Sequence, residues 1–427
     1  MLWNGEKGTL EDCIFTGNTV NLTNVTNLID WGGGAVYWNG TDGNLNNCIF
    51  INNSLNIIGS GLVNVGGGAV AWFGSNGILV GSTFTNNTSN WGGAVHWGAT
   101  TGRLNNSTFI NNTATNGGGG VHWYGTNGTL SNSTFFNNTA TQGGGSIWFS
   151  SASLNASLSE CIFINNTSNR VGGAVYWNST EGNLAESTFI NNTATDWGGG
   201  VDWNAANGII TGSIFTGNKA GINGGGIEWG GENGILTTST FTNNLVNRNA
   251  GGGIDWWANN GTIKDSTFIG NNASYGGGVC WYGANCILVG SIFTGNKAGI
   301  NGGGIEWGGE NGILTKSTFI NNTANNVAGA VHAWKNNCII IDSIFNGNTA
   351  NNGAGAVYWA VTGSMANCSF INSKSDRING IHAAMDLVIN GGNGIAYIFT
   401  QGTLSGASIV VLNNETYYYP PNTNINF

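Results

Sequence analysis

Asp202, Glu228 and Asp255 each stand immediately before a tryptophan (Trp203, Trp229, Trp256), and Glu306 stands before Trp307 in the same way. If chain repeats bring these positions together in neighbouring coils, the carboxyls lie about 4.8 Å apart, the spacing of paired strands. Like charges that close repel, so either some pKa rises or a cation such as calcium sits between them. Adjacent coils then approach the carboxyl separation of a retaining glycosidase, and alternate coils the wider inverting gap. A polysaccharide-acting hydrolase or lyase using Asp202, Glu228, Asp255 and Glu306 is therefore one reading. Against a lyase, no lysine or arginine stands in this column to serve as base. His96 and His122 occupy the same column, one repeat apart, and two imidazoles there suggest a shared transition metal. With Asp202, Glu228 and Asp255 they are the metal candidates; two ligands without a third equally describe polar residues on an exposed strand. No catalytic residue, cofactor or metal is assigned on this basis.

Internal duplication weighs against catalysis. Residues 213–237 are identical to residues 291–315, so Glu228 reappears as Glu306 and Lys219 as Lys297. Copying a block whole lengthens a surface and does not duplicate a unique active site.

The column exists because the chain is periodic. Trp97 is followed twelve residues later by Phe109 and then by Asn112, and fourteen such registers run from Trp3 to Phe370. The gap slips to fifteen after Trp148 and to eleven after Trp334 and Trp359. Within one repeat, Val95 and Trp97, and then Leu104, Ser107 and Phe109, belong to constant positions while their neighbours vary. Alternating constant and variable positions indicate strands with one buried face. Gly, Asn and Asp between them supply turns that tolerate positive φ. The fold expected is all-β, a right-handed parallel β-helix of about 14 coils over residues 1–398. Trp and Phe should stack inside, the Asn after Phe should form an amide ladder, and the residue before each Trp should look out.

Composition agrees with a solenoid. Charged residues are 7% of 427, Gly numbers 74 and hydrophobic residues reach 40%. A net charge of −9 disfavours a nucleic-acid partner, and no apolar run is long enough to span a membrane. Of seven cysteines, Cys13, Cys48, Cys161 and Cys368 replace a repeated serine, while Cys286 and Cys338 replace a repeated glycine two coils apart. That separation is too great for a disulfide.

Gly33-Gly34-Ala35-Val36 and Gly172-Gly173-Ala174-Val175, with Phe84-Thr85-Asn86-Asn87 and Phe189-Ile190-Asn191-Asn192, carry a resemblance. They resemble the repeats of polymorphic outer membrane proteins of chlamydiae and of adhesin-like surface proteins of methanogenic archaea. The resemblance covers most of the chain and implies surface display and adhesion, with no catalytic motif to carry over. It departs at Ala328-Gly329, Ala354-Gly355 and Phe370-Ile371-Asn372-Ser373, and no autotransporter barrel is expected within these 427 residues, which leaves the anchoring mode open.

Residues 399–427 read as a terminal hairpin, either a cap or the truncated start of an Ig-like module. Met1 lies two residues before Trp3, so the chain is expected to be a segment of something longer. Two long connections, Phe15 to Trp38 and Phe50 to Trp72, hold Val25, Leu28, Ile29, Ile57, Ile58, Leu62 and Val63 as candidate partner contacts or an end cover. Asn-x-Ser/Thr sequons such as Asn111-Asn112-Thr113 permit glycosylation after export. Thr83, Thr108 and Thr134 form a flat column that Ile162, Ile214, Ile292 and Ile344 interrupt, which argues against ice binding. The expectation is an extracellular, cell-surface adhesin or stalk segment contacting a glycan or protein on another cell.

Overall fold

Strands of three residues separated by tight turns cannot pair within one repeat, so each must pair with the same strand of the next. The computed structural model describes residues 1–23, 32–58 and 66–359, with separate strands between residues 363 and 426. It forms two compact units, residues 1–220 and 221–427. Both are built as right-handed parallel β-solenoid.

In the first unit one coil comprises strands Val95–Trp97, Arg103–Asn105, Thr108–Ile110 and Thr113–Gly117. Each pairs in parallel with its equivalent in the following coil, Trp97 opposite Trp123, Leu104 opposite Leu130, Phe109 opposite Phe135 and Ala114 opposite Ala140. The second unit repeats the pattern, with Trp281 opposite Trp307, Leu288 opposite Leu314, Phe293 opposite Phe319 and Ala298 opposite Ala324. We name the four faces the tryptophan, leucine, phenylalanine and alanine sheets after these inward residues. The described residues complete about 11 turns against the 14 expected.

The core is a set of side-chain columns at strand spacing. Trp72 and Trp97 stack with centroids 5.0 Å apart and planes 3° from parallel, and Phe84 and Phe109 at 4.8 Å and 5°. Such offset pairs add to simple burial of area. At the turn after Phe, Asn112 Nδ2 donates to Asn138 Oδ1 (3.0 Å) and to Phe84 O (3.0 Å), while Asn87 N and Nδ2 donate to Asn112 Oδ1. The amide ladder is as expected, and its rungs from Asn53 to Asn348 are fully buried. A hydroxyl ladder runs between the leucine and phenylalanine sheets, where Ser82 N donates to Ser107 Oγ. Cys48 and Cys161 stand in it, their amides donating to Ser82 Oγ and Ser187 Oγ. All seven cysteines are free thiols.

Glycine is required beside the indoles. The turn after the indole holds a residue of positive φ, most often asparagine as at Asn76 (58°) and Asn207 (58°), with Asp42, Thr101 or Glu181 in other coils. At the glycine after it the chain lies against the ring: a Cβ on Gly77 would sit 2.2 Å from Trp72 Nε1, and one on Gly102 2.0 Å from Trp97 Nε1.

Two repeats depart from the register read in the sequence. Ile147 pairs with Val121, Trp148 with His122 and Phe149 with Trp123, so Phe149 takes the core position and Trp148 the outer one. Alternation decides this: Ile147 and Phe149 fill the interior and Trp148 must face away. Likewise Ala333 pairs with Trp307 and Trp359, leaving Trp334 one residue past the core column.

Val25, Leu28, Ile29, Leu62 and Val63 lie outside the described residues, while Ile57 and Ile58 end the strand Ser54–Ile58. Past residue 398, Ile409–Leu412 pairs antiparallel with Glu415–Tyr418 and parallel with Ile395–Ile398.

Candidate functional site

On a strand such as Val95-His96-Trp97, inward Val95 and Trp97 force His96 to the outer face of the tryptophan sheet. The pre-tryptophan residues do stand there, in register. In the first unit His96 pairs with His122, His122 with Trp148, Trp148 with Tyr176 and Tyr176 with Asp202. In the second, Glu228 pairs with Asp255, Asp255 with Cys280, Cys280 with Glu306 and Glu306 with His332. They are not open to solvent, contrary to the sequence expectation. His96, His122, Asp202, Glu228, Asp255, Glu306 and His332 are all buried, Asp255 fully and Glu228 at 9% exposure.

Larger side chains from neighbouring positions cover them. In the first unit the Trp91 ring lies 4.6 Å from His122 and 5.0 Å from Trp148, and Phe73 lies 5.4 Å from His96. In the second, Trp257 Nε1 donates to Asp255 Oδ2 at 2.9 Å. The Trp257 ring stacks on Tyr282 at 4.4 Å and 25°, and Tyr282 meets Trp334 edge-on at 6.3 Å. Gly308 leaves the room for this, since a Cβ there would lie 2.7 Å from Trp334 and 2.8 Å from Tyr282. Lys335 Nζ lies 5.2 Å from the Trp334 ring centroid, a cation–π contact. Trp257 keeps 47% of its surface exposed. A ledge of stacked aromatic rings therefore stands over buried carboxyls.

Burial sets the chemistry beneath. Burial raises the Asp202 carboxyl to about 8, with the Asn204 Nδ2 hydrogen bond (2.9 Å) opposing. Burial raises Asp255 to about 7, opposed by hydrogen bonds from Trp257, Cys280 and Glu228. Burial thus holds the Asp255 carboxyl well above the usual carboxylate range, with Glu228 hydrogen-bonded beside it. Burial and then the charges of Asp255 and Glu306 push the Cys280 thiol up, so it is no thiolate nucleophile. His332 Nδ1 lies 2.9 Å from both Glu306 oxygens.

His96 and His122 touch through their Nδ1 atoms at 3.0 Å, so one Nδ1 carries the proton and the other accepts it. Burial lowers His96 to about 4, and burial with the His96 charge lowers His122. The pair is a neutral buried hydrogen bond with both Nδ1 atoms committed to each other. Among the described residues no three of His, Cys, Asp and Glu form a metal-holding group. Glu228 with Asp255, and Glu306 with His332, are brought together; Cys280 separates Asp255 from Glu306, and Asp202 belongs to the first unit beside Tyr176. The aromatic ledge was missed in the sequence, where the residue after Trp varies among Asn39, Phe73, Gly98, Tyr124, Asn178, Gly230 and Lys335; its signal was Trp257 and Tyr282 in consecutive repeats.

Residues 88–271 match the family described as Right handed beta helix region. No curated protein matches the chain. Among solved structures, the tailspike protein of E. coli bacteriophage HK620 in complex with pentasaccharide aligns at 13% identity. That alignment covers 95% of this chain and 72% of that one, with a TM-score of 0.42. A mannuronic acid specific polysaccharide family 6 lyase from human gut microbiota aligns at 12% identity. It covers 84% of this chain and 80% of that one, with a TM-score of 0.44. The family match and the coil-to-coil strand register make the chain a right-handed parallel β-helix.

Proposed function

We propose that this chain is a non-catalytic segment of an extracellular adhesin or stalk, and that its tryptophan-sheet outer face holds glycan on another cell or in matrix. The observation that carries this is the exposed Trp257–Tyr282 stack. A flat indole fixed by a hydrogen bond to Asp255 offers an apolar platform with polar groups at its edge, the arrangement that recognises a sugar ring. The resemblance to polymorphic outer membrane protein repeats supports surface display. The carboxyls below the ledge are covered, whereas a general acid must reach the bond it protonates.

A polysaccharide-acting enzyme is the second reading. It is favoured by Asp255, a carboxylic acid retained near neutrality beside Glu228, which is how a glycosidase acid is prepared. A glycan array followed by affinity measurement on the best binder tests the ledge, and turnover of that ligand separates the two readings. Trp257→Ala is expected to weaken binding about tenfold, a loss of roughly 1.4 kcal/mol, and Asp255→Asn, whose amide oxygen still accepts from Trp257, to leave it within about twofold. Equal binding by Trp257→Ala would remove the ledge from the account.

A further inference from the structure

The turn joining the tryptophan and leucine sheets is lined for much of its length by asparagines of positive φ, among them Asn127, Asn155 and Asn207 in the first unit. Three successive coils near its start place Asp42, Asn76 and Thr101 there, so that Asp42 and Thr101 depart from the asparagine pattern on either side of Asn76. Their side chains form a directed chain: Thr101 Oγ1 donates to Asn76 Oδ1 (2.5 Å), and Asn76 Nδ2 donates to Asp42 Oδ1 (3.0 Å). Beside them on the leucine sheet, Ile78 pairs with Arg103 and both side chains stay exposed. The five residues, all exposed, line an open surface groove of about 510 Å³, a volume in the range of small-ligand sites.

Charge is scarce on this molecule, at 7% of residues, yet the groove holds one acid and one guanidinium at its two ends. Among the described residues neither Asp42 nor Arg103 makes a salt bridge. Both retain hydrogen-bonding capacity: Asp42 has a second carboxylate oxygen and Arg103 has five donors in a planar fork. Their coils are two apart, roughly 10 Å along the axis, the length of two linked pyranose rings. Between them Ile78 supplies an apolar floor for the C–H face of a sugar.

We propose that this groove binds an acidic disaccharide. Its carboxylate pairs with the Arg103 fork, its ring lies on Ile78, and its hydroxyls meet Asp42, Asn76 and Thr101. A carboxylate is the group a guanidinium fork matches in bidentate geometry. This site is separate from the aromatic ledge and does not depend on the ledge binding anything.

The test is calorimetric titration of the full chain with a disaccharide of one uronic acid and one neutral hexose (glucuronosyl-galactose), digalactose and a sulfated digalactose. The singly carboxylated sugar is expected to bind at least fivefold more tightly than either of the others. Arg103→Gln should weaken it about tenfold and Ile78→Ser severalfold, whereas Arg170→Gln, the same charge change on another face, should leave affinity unchanged. Arg103 and Ile78 are exposed, so thermal midpoints of these variants should match the parent. Equal binding by Arg103→Gln, equal affinity for digalactose, tighter binding of the sulfated sugar, or an equal loss in Arg170→Gln would each overturn the proposal.

Discussion

At the scale of single residues, the buried titratable groups make opposite demands on pH. Asp202 has its folded pKa raised to about 8 by burial, against about 3.9 in an unfolded chain. Between those values the folded state binds the extra proton, so its contribution is full below pH 4 and is lost as pH rises through 8. His96 is the reverse case: its folded pKa of about 4 lies below the ordinary 6.5, so stability is present above 6.5 and lost as pH falls through 4. Asp202→Asn should therefore gain on the parent protein as pH rises from 5 to 9, by a few kcal/mol at the upper end. Thermal midpoints across that range check it; a constant offset would contradict burial as the cause. The asparagine ladder is the other residue-scale commitment. Asn138→Ala removes the acceptor of Asn112 N and Nδ2 and the donor to Asn166 and Phe109, stranding buried partners on both sides. A loss of about 3 kcal/mol or more in denaturant unfolding is expected, and a loss below about 1 kcal/mol would contradict it.

At the scale of the element, the strand–turn–strand unit was legible from alternation, because a two-residue period leaves the inward columns constant while outward neighbours drift. Trp148 and Trp334 were misplaced because both are tryptophans and the column was followed by residue type. The finer rule is chemical: Ile147 and Phe149 bracket Trp148, and Ala333 precedes Trp334, so the interior was already filled. Cysteine at the turn glycine was legible as substitution but not in its consequence. Cys286 occupies the site where a Cβ elsewhere meets the indole, and in its coil the stack loosens: Trp256–Trp281 is 5.5 Å and 26°, against 4.3 Å and 5° for Trp229–Trp256. Cys338 lies in the coil where Ala333 stands in the tryptophan column, so thiol and small side chain occur together. Gly102→Ala, with no such relief, should overpack Trp97 and cost about 1–3 kcal/mol. Replacing Trp97 by Phe in the same chain should recover part of that loss, and no recovery would mean the turn itself, not the ring, rejects the methyl.

At the scale of the whole molecule, the repeat explains why the site was harder to read than the fold. Inward positions are fixed by packing against identical neighbours, so one sequence reveals them. Outward positions depend on which neighbour is large enough to cover them. The expectation that the pre-tryptophan column faces solvent failed there, because Trp91, Phe73, Trp257 and Tyr282 reach across it. What was read as a displayed row of acids is buried beneath aromatic rings. On the proposed function the rings, not the carboxyls, meet glycan, and the chain holds it without cutting it. The most direct measurement is prolonged incubation of the purified protein with its best array ligand in polymeric form, following reducing ends and the ultraviolet absorbance of unsaturated uronate. The account expects retention of the polymer with neither signal rising above a protein-free control. Turnover that Asp255→Asn abolishes while binding persists would contradict it.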